Sequence, residues 1–176
     1  MDSGALMRAA VASILERDLS ALRREVEMYS DEADLWRTLP GVANPAGSLV
    51  LHLAGNLQHF IGSQLGGSSY IRDRAAEFAR RGVPRAELIR EIEAARTAIR
   101  AGLGRLSEEQ LTGEWPEPIA GVRVATGEYL MHLAAHLAYH LGQVDFHRRG
   151  VTGSPTVIGA MRLDELSSAR PSEVQA

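Results

Sequence analysis

YLMHLAAHLAYHLGQVDFHRRG, residues 129–150, decides the fold of this chain. His132, His136 and His140 recur every fourth residue, and His147 follows seven later. A helix turns ~100° per residue, so each step of four drifts only ~40° around its axis. The histidines therefore share one stripe, which also carries much of the segment's apolar edge. A second apolar stretch, SLVLHLAGNLQHFIGSQL at 48–65, holds His52 and His59, the remaining two of six histidines. Buried imidazoles need polar partners. The ordinary solution is a hydrogen bond within the core. A shared metal ion is the other, and neutral imidazole suits zinc, nickel, iron or copper.

Working outward, residues 3–29 read as an amphipathic helix capped by Asp2 or Ser3, with Leu6, Ile14, Leu15, Leu22, Val26 and Tyr29 near helical spacing. A second helix spans 45–65, with Asn44 as cap, Pro45 in the first turn and Gly66-Gly67 as its stop. Residues 71–81 predict a short charged helix in a crossover. A third long helix covers 84–104. Residues 106–125 read as irregular, with a hairpin-like excursion in PIAGVRVATG. Thr126 is expected to cap a fourth long helix that ends before Gly150. Four long helices with functional side chains facing inward predict an all-α, four-helix up-and-down bundle, the kind of core in which side-chain metal sites are built. The expected domain is 1–155, with a weakly patterned tail at 156–176.

Composition narrows the chemistry. The 176 residues suffice for one core, and the net charge of −3 offers nothing to nucleic acid. Every basic residue is arginine, so lysine Schiff bases are excluded. There is no cysteine, so disulfides, protein thiolates and cysteine-based zinc sites are excluded too. The N-terminal stretch lacks a signal-peptide pattern, and nothing approaches the ~20 apolar residues of a membrane span. A soluble cytoplasmic protein is expected.

The segment HLAAHLAYHLGQV at 132–144 resembles the closing helix of the DinB/YfiT-like metalloenzyme superfamily. There a histidine on the second helix accompanies HxxxH, one residue, then Gly-Gln. The matching positions are His52 in VLHLAGN, His136, His140, Gly142 and Gln143, and LHLAGNL followed by RDRAAEF resembles one uncharacterised branch. The resemblance covers roughly 5–150. It implies a bundle, often a homodimer, holding one divalent metal on His52, His136 and His140. Better understood members work on a low-molecular-weight thiol such as bacillithiol or mycothiol, or isomerise maleylpyruvate. Where the family often has Arg before Gly-Gln, this chain has Leu141, which weakens the case for an anionic substrate there.

The expected cofactor is zinc or nickel, with a thiol as cosubstrate and a small-molecule substrate. Three neutral nitrogens leave an open position for water or substrate. The expected activity is a metal-dependent thiol S-transferase or a hydrolase; no catalytic side chain is assigned. The alternative is a non-catalytic metal-binding, structural or sensing bundle. Asn56 and Gln143 are candidates to hydrogen-bond ligand imidazoles, although ordinary interhelical bonds are the commoner use. Arg72 and Arg74 are candidates for an anionic substrate group, set against a salt-bridge network with Asp73 and Glu77. With helices two and four parallel, His59 is expected to pair with Asp145 or His147 near the surface, leaving His132 as a core or rim residue.

Overall fold

Leucine- and alanine-rich stretches at helical spacing produce an all-helical chain in the computed structural model, which describes residues 3–172. The expected Asp2 cap and residues 173–176 of the tail lie outside the described residues. The helices are α1 (Ser3–Glu27), α2 (Ala46–Leu57), α3 (Arg74–Ala79), α4 (Arg85–Arg105), α5 (Glu108–Thr112) and α6 (Thr126–Thr152). A 3₁₀ turn at Glu32–Trp36 precedes α2, and α2 runs on as a π-helix over Gln58–Leu65. The four long helical segments fall where the pattern places them. The core between them is built from residues such as Leu15, Leu22, Leu53, Ile92 and Leu137. No helix among the described residues is long and apolar enough to cross a membrane.

Several ends differ from expectation. Pro45, not Asn44, holds the cap position of α2, and Ala125, not Thr126, that of α6; Thr126 is buried as the first helical residue. α6 runs through Gly150 and stops at Gly153, which supplies the left-handed conformation (φ 68°) that ends helices cheaply. Leu6, expected on the buried face, is half exposed. Part of the stretch expected to be irregular is α5, started by a capping box between Ser107 and Gln110. Beyond it, Ile119 and Val122 pair in the hairpin-like excursion.

The directions of the long helices correct the up-and-down expectation. Tyr29 meets His147 while a side chain on Gly127 would meet Met7, so α1 and α6 run parallel. Arg23 pairs with Glu93 and Arg100 with Glu16, so α1 and α4 are antiparallel. Gln58 bonds Glu91, and a Cβ on Gly62 would lie 2.8 Å from that of Ala98, so α2 and α4 are parallel. The order is up, down, down, up. The physical reason is the crossover at 66–84, which with α3 carries the chain back to the starting end of α2. α2 and α6 are consequently antiparallel, with His52 level with His136 and Phe60 level with Tyr129.

Two interior attachments fix the end of α6. The guanidinium of Arg148, fully buried, bonds Glu25 of α1 and the carbonyl of Thr156 at 2.7 Å. His147, expected at the surface, is only 1% exposed; its Nδ1 accepts from the Tyr29 hydroxyl at 2.8 Å and its Nε2 donates to the Arg37 carbonyl at 2.7 Å. The helix face carrying it is covered by the connection that begins at Tyr29, which the 3.6-residue pattern of α6 alone does not reveal.

The parallel contact of α2 with α4 depends on glycine. A Cβ on Gly102 would collide with the Ile61 carbonyl and lie 2.7 Å from Ile61 Cγ2, whereas one on Gly104 meets nothing within 4 Å. Gly102→Ala is expected to lose about 1–3 kcal/mol through overpacking, despite better helix propensity. Gly104→Ala is expected to gain up to about 1 kcal/mol. Urea denaturation of the two variants checks the contrast.

Candidate metal centre

α2 and α6 bring three histidines together. His52 is nearly two turns into α2 and buried; His136 and His140 are one turn apart on α6 and partly buried. One ring nitrogen from each lies within 4.8 Å of the others. His52 Nε2 is 3.2 Å from His136 Nε2, and the His136 and His140 rings stand edge to face with centroids 4.7 Å apart. Two nitrogens of a tetrahedral zinc site are about 3.3 Å apart for bonds of ~2.0–2.1 Å. His52 and His136 fit that spacing already, and the widest pair, at up to 4.8 Å, must close by up to about 1.5 Å. Two lone pairs at 3.2 Å repel unless a proton or a cation lies between them, so the donor set suits a metal ion.

The rings are oriented by polar neighbours. Glu77 of α3 accepts from His52 Nδ1 at 2.9 Å, leaving Nε2 free to face His136. The same carboxylate accepts from Arg72 at 2.7 and 2.9 Å. Arg72 Nη2 and His52 Nδ1 thus converge on one oxygen, Oε2. Burial pushes the Glu77 carboxyl up, but the hydrogen bonds from His52 and Arg72 outweigh it and hold the group below its ordinary range. Glu77 is therefore an anion. His140 Nδ1 donates to Gln143 Oε1 at 2.6 Å, which again leaves Nε2 free.

Glu77 is the site residue that sequence reasoning missed, having been read only as a salt-bridge partner. Two signals were present. Gly55 interrupts α2 three residues after His52, and a Cβ there would collide with Glu77 Oε1 and lie 3.1 Å from the Tyr70 hydroxyl. A glycine inside a helix marks such a close approach. Asp73 then caps α3 by accepting from the Ala76 amide, which fixes the turn on which Glu77 sits.

The other candidates separate. Arg72 joins the centre through Glu77 and also lies over the Phe60 ring at 5.7 Å. Arg74 is exposed and lies over the ring of Phe78, itself packed against His52, without bonding any of the three histidines among the described residues. Asn56 is 7% exposed, and its Oδ1 has no hydrogen-bond partner among the described residues. His59 lies against Phe60 rather than Asp145 or His147; the antiparallel pairing of α2 and α6 puts it at the Tyr129 end, and His147 has both nitrogens engaged elsewhere. His132 is exposed and stacks on Tyr129, with ring centroids 5.6 Å apart.

Burial is the main cause that lowers the histidine pKa values. His136 falls to about 4, helped by the charges of His140 and His52. His140 is lowered by burial against the pull of its Gln143 bond, and His147 is lowered likewise. His136 and His140 are therefore neutral at pH 7, the state a metal needs.

The family described as mycothiol-S-transferase matches residues 10–153 of the chain. No curated protein and no solved structure matches it.

The depressed histidines make an acid-sensitive fold. Each binds a proton more readily when unfolded, so their stability contribution is complete above about pH 6.5 and is lost as the pH falls toward about 4, where His136 titrates. Urea midpoints of the metal-free protein are expected to drop between pH 7 and 5, and to drop less steeply in His136→Gln.

Proposed function

The chain belongs to the mycothiol-S-transferase family, within the DinB/YfiT-like metalloenzyme superfamily, and we propose that it is a metal-dependent transferase acting on a low-molecular-weight thiol. In this reading its four long helices form a four-helix bundle around one divalent ion, zinc or nickel, held by His52, His136 and His140. The observation that carries the proposal is the convergence of three imidazoles within 4.8 Å, one of them fixed by a buried carboxylate.

A divalent ion on the triad supplies positive charge that favours the thiolate form of a thiol cosubstrate. The chain has no cysteine, so the reacting sulfur must come from that cosubstrate, with mycothiol indicated by the family description. The thiolate sulfur attacks an electrophilic carbon of the acceptor. The carbon–sulfur bond forms, the carbon–leaving-group bond breaks, and the leaving group departs with its electron pair; the thiol proton passes to solvent. The protein's part is to hold neutral nitrogens in place. Glu77 keeps His52 in the tautomer that presents Nε2, Arg72 keeps Glu77 ionised, and Gln143 does for His140 what Glu77 does for His52.

His52→Ala is expected to abolish metal binding and thiol transfer while helicity is kept, since one truncation costs a few kcal/mol at most. Glu77→Gln is expected to weaken metal binding by about 10–100-fold. Metal analysis and circular dichroism of protein purified without a chelating column check both. Unchanged metal content in His52→Ala would overturn the triad, and full transfer activity in metal-free protein would overturn metal dependence. Metal binding without turnover of any electrophile–thiol pair would leave the non-catalytic, sensing reading. We also propose a homodimer, supported by the family resemblance and by exposed apolar side chains such as Met131 and Ile71. Light scattering at micromolar concentration showing only a 19.1 kDa species would reject it.

A further inference from the structure

A cleft of about 480 Å³ opens between residues 41–44, the start of α2 and the second half of α6. Leu49, Tyr139 and Phe146 form its apolar walls, Asn44 and Gln143 are polar, and Gly142 opens its floor. The volume falls within the ~300–1,000 Å³ of small-molecule sites. Tyr139 and Phe146 are 66% and 65% exposed, two large rings turned to solvent across an open glycine. A Cβ on Gly142 would meet nothing within 4 Å. Among the described residues, no Asp, Glu, Lys or Arg lines the cleft. His147 reaches it as a neutral ring with both nitrogens already bonded.

The cleft adjoins the histidine triad. Gln143, in its wall, accepts from His140 at 2.6 Å, and the Tyr139 ring centroid is 5.1 Å from that of His140. With Gln143 Oε1 taken by His140, the side-chain N–H₂ remains to donate to a ligand oxygen. A charged ligand entering these walls would lose hydration and find no countercharge. A planar apolar ligand would bury its faces against Tyr139 and Phe146.

We propose that this cleft binds the acceptor of the transfer reaction, and that the acceptor is an uncharged, largely apolar organic electrophile carrying a hydrogen-bond-accepting oxygen. Its role as acceptor site rests on the metal-dependent transferase reading; its preference for an uncharged apolar ligand rests on the cleft alone.

Calorimetric titration of the full chain, zinc-loaded, with 2-naphthamide and with naphthalene-2-sulfonate tests the preference with two probes of similar shape. The amide is expected to bind about tenfold tighter than the sulfonate, a difference readily resolved. Gly142→Leu fills the floor from a position with free space and is expected to weaken the amide about tenfold, with zinc stoichiometry unchanged. Phe146→Ala removes one wall and is expected to act in the same direction. Equal amide binding by both variants and the unsubstituted protein, or preference for the sulfonate, would overturn the proposal. Variant-sensitive amide binding by a protein that takes up no zinc would sink the metal reading and uphold the cleft. Zinc uptake without amide binding would do the opposite.

Discussion

One carboxylate ties three parts of this molecule together. Glu77 projects from the short helix of the crossover, passes over a position in α2 where only glycine fits, and accepts hydrogen bonds from both His52 and Arg72. Take the carboxylate away and a buried imidazole loses the bond that selects its tautomer. Arg72 would then be a cation beside that ring with no counter-ion. A half-broken network of this kind costs more than its count of bonds suggests, because the survivors lose a charged partner in a poorly solvated place. The crossover is therefore part of the centre rather than a connection between helices.

The same crossover sets the helix directions. By returning the chain to the starting end of α2, it makes α2 and α4 parallel neighbours and brings α6 against α2 in the opposite sense. Antiparallel pairing puts the middle of α2 opposite the middle of α6, so His52 reaches both His136 and His140. The π-helical continuation of α2 then carries Phe60 to an aromatic group with Trp115 and Tyr129. The ring cluster and the histidine cluster are thus successive levels of one helix interface.

Much of this was legible in the residues. Helical periodicity located the long helices, and the spacing of His136 and His140 put them on one face because that face depends only on local geometry. The direction of α4 was not legible, since a run such as IRDRAAEF records that a crossover exists but not which end it returns to. The wrong direction then moved His59 to the wrong partners. His147 was misjudged for a related reason: its cover comes from a distant connection, and no local pattern announces a neighbour more than a hundred residues away. Glu77 was hidden in a different manner. Among alternating arginines and carboxylates its charge looked like surface pairing, and only the glycine opposite it carried the information that it is buried.

The attachment of Arg148 has a bearing on how the chain can be shortened or extended. Its guanidinium lies wholly inside, and one of its acceptors, the Thr156 carbonyl, comes from beyond the last helix. A terminus cut at the end of α6 would leave an interior cation short of a partner, so the fold has no natural seam there. Fusions and tags are better placed after the anchored stretch, where lengthening the chain leaves that interior bond intact.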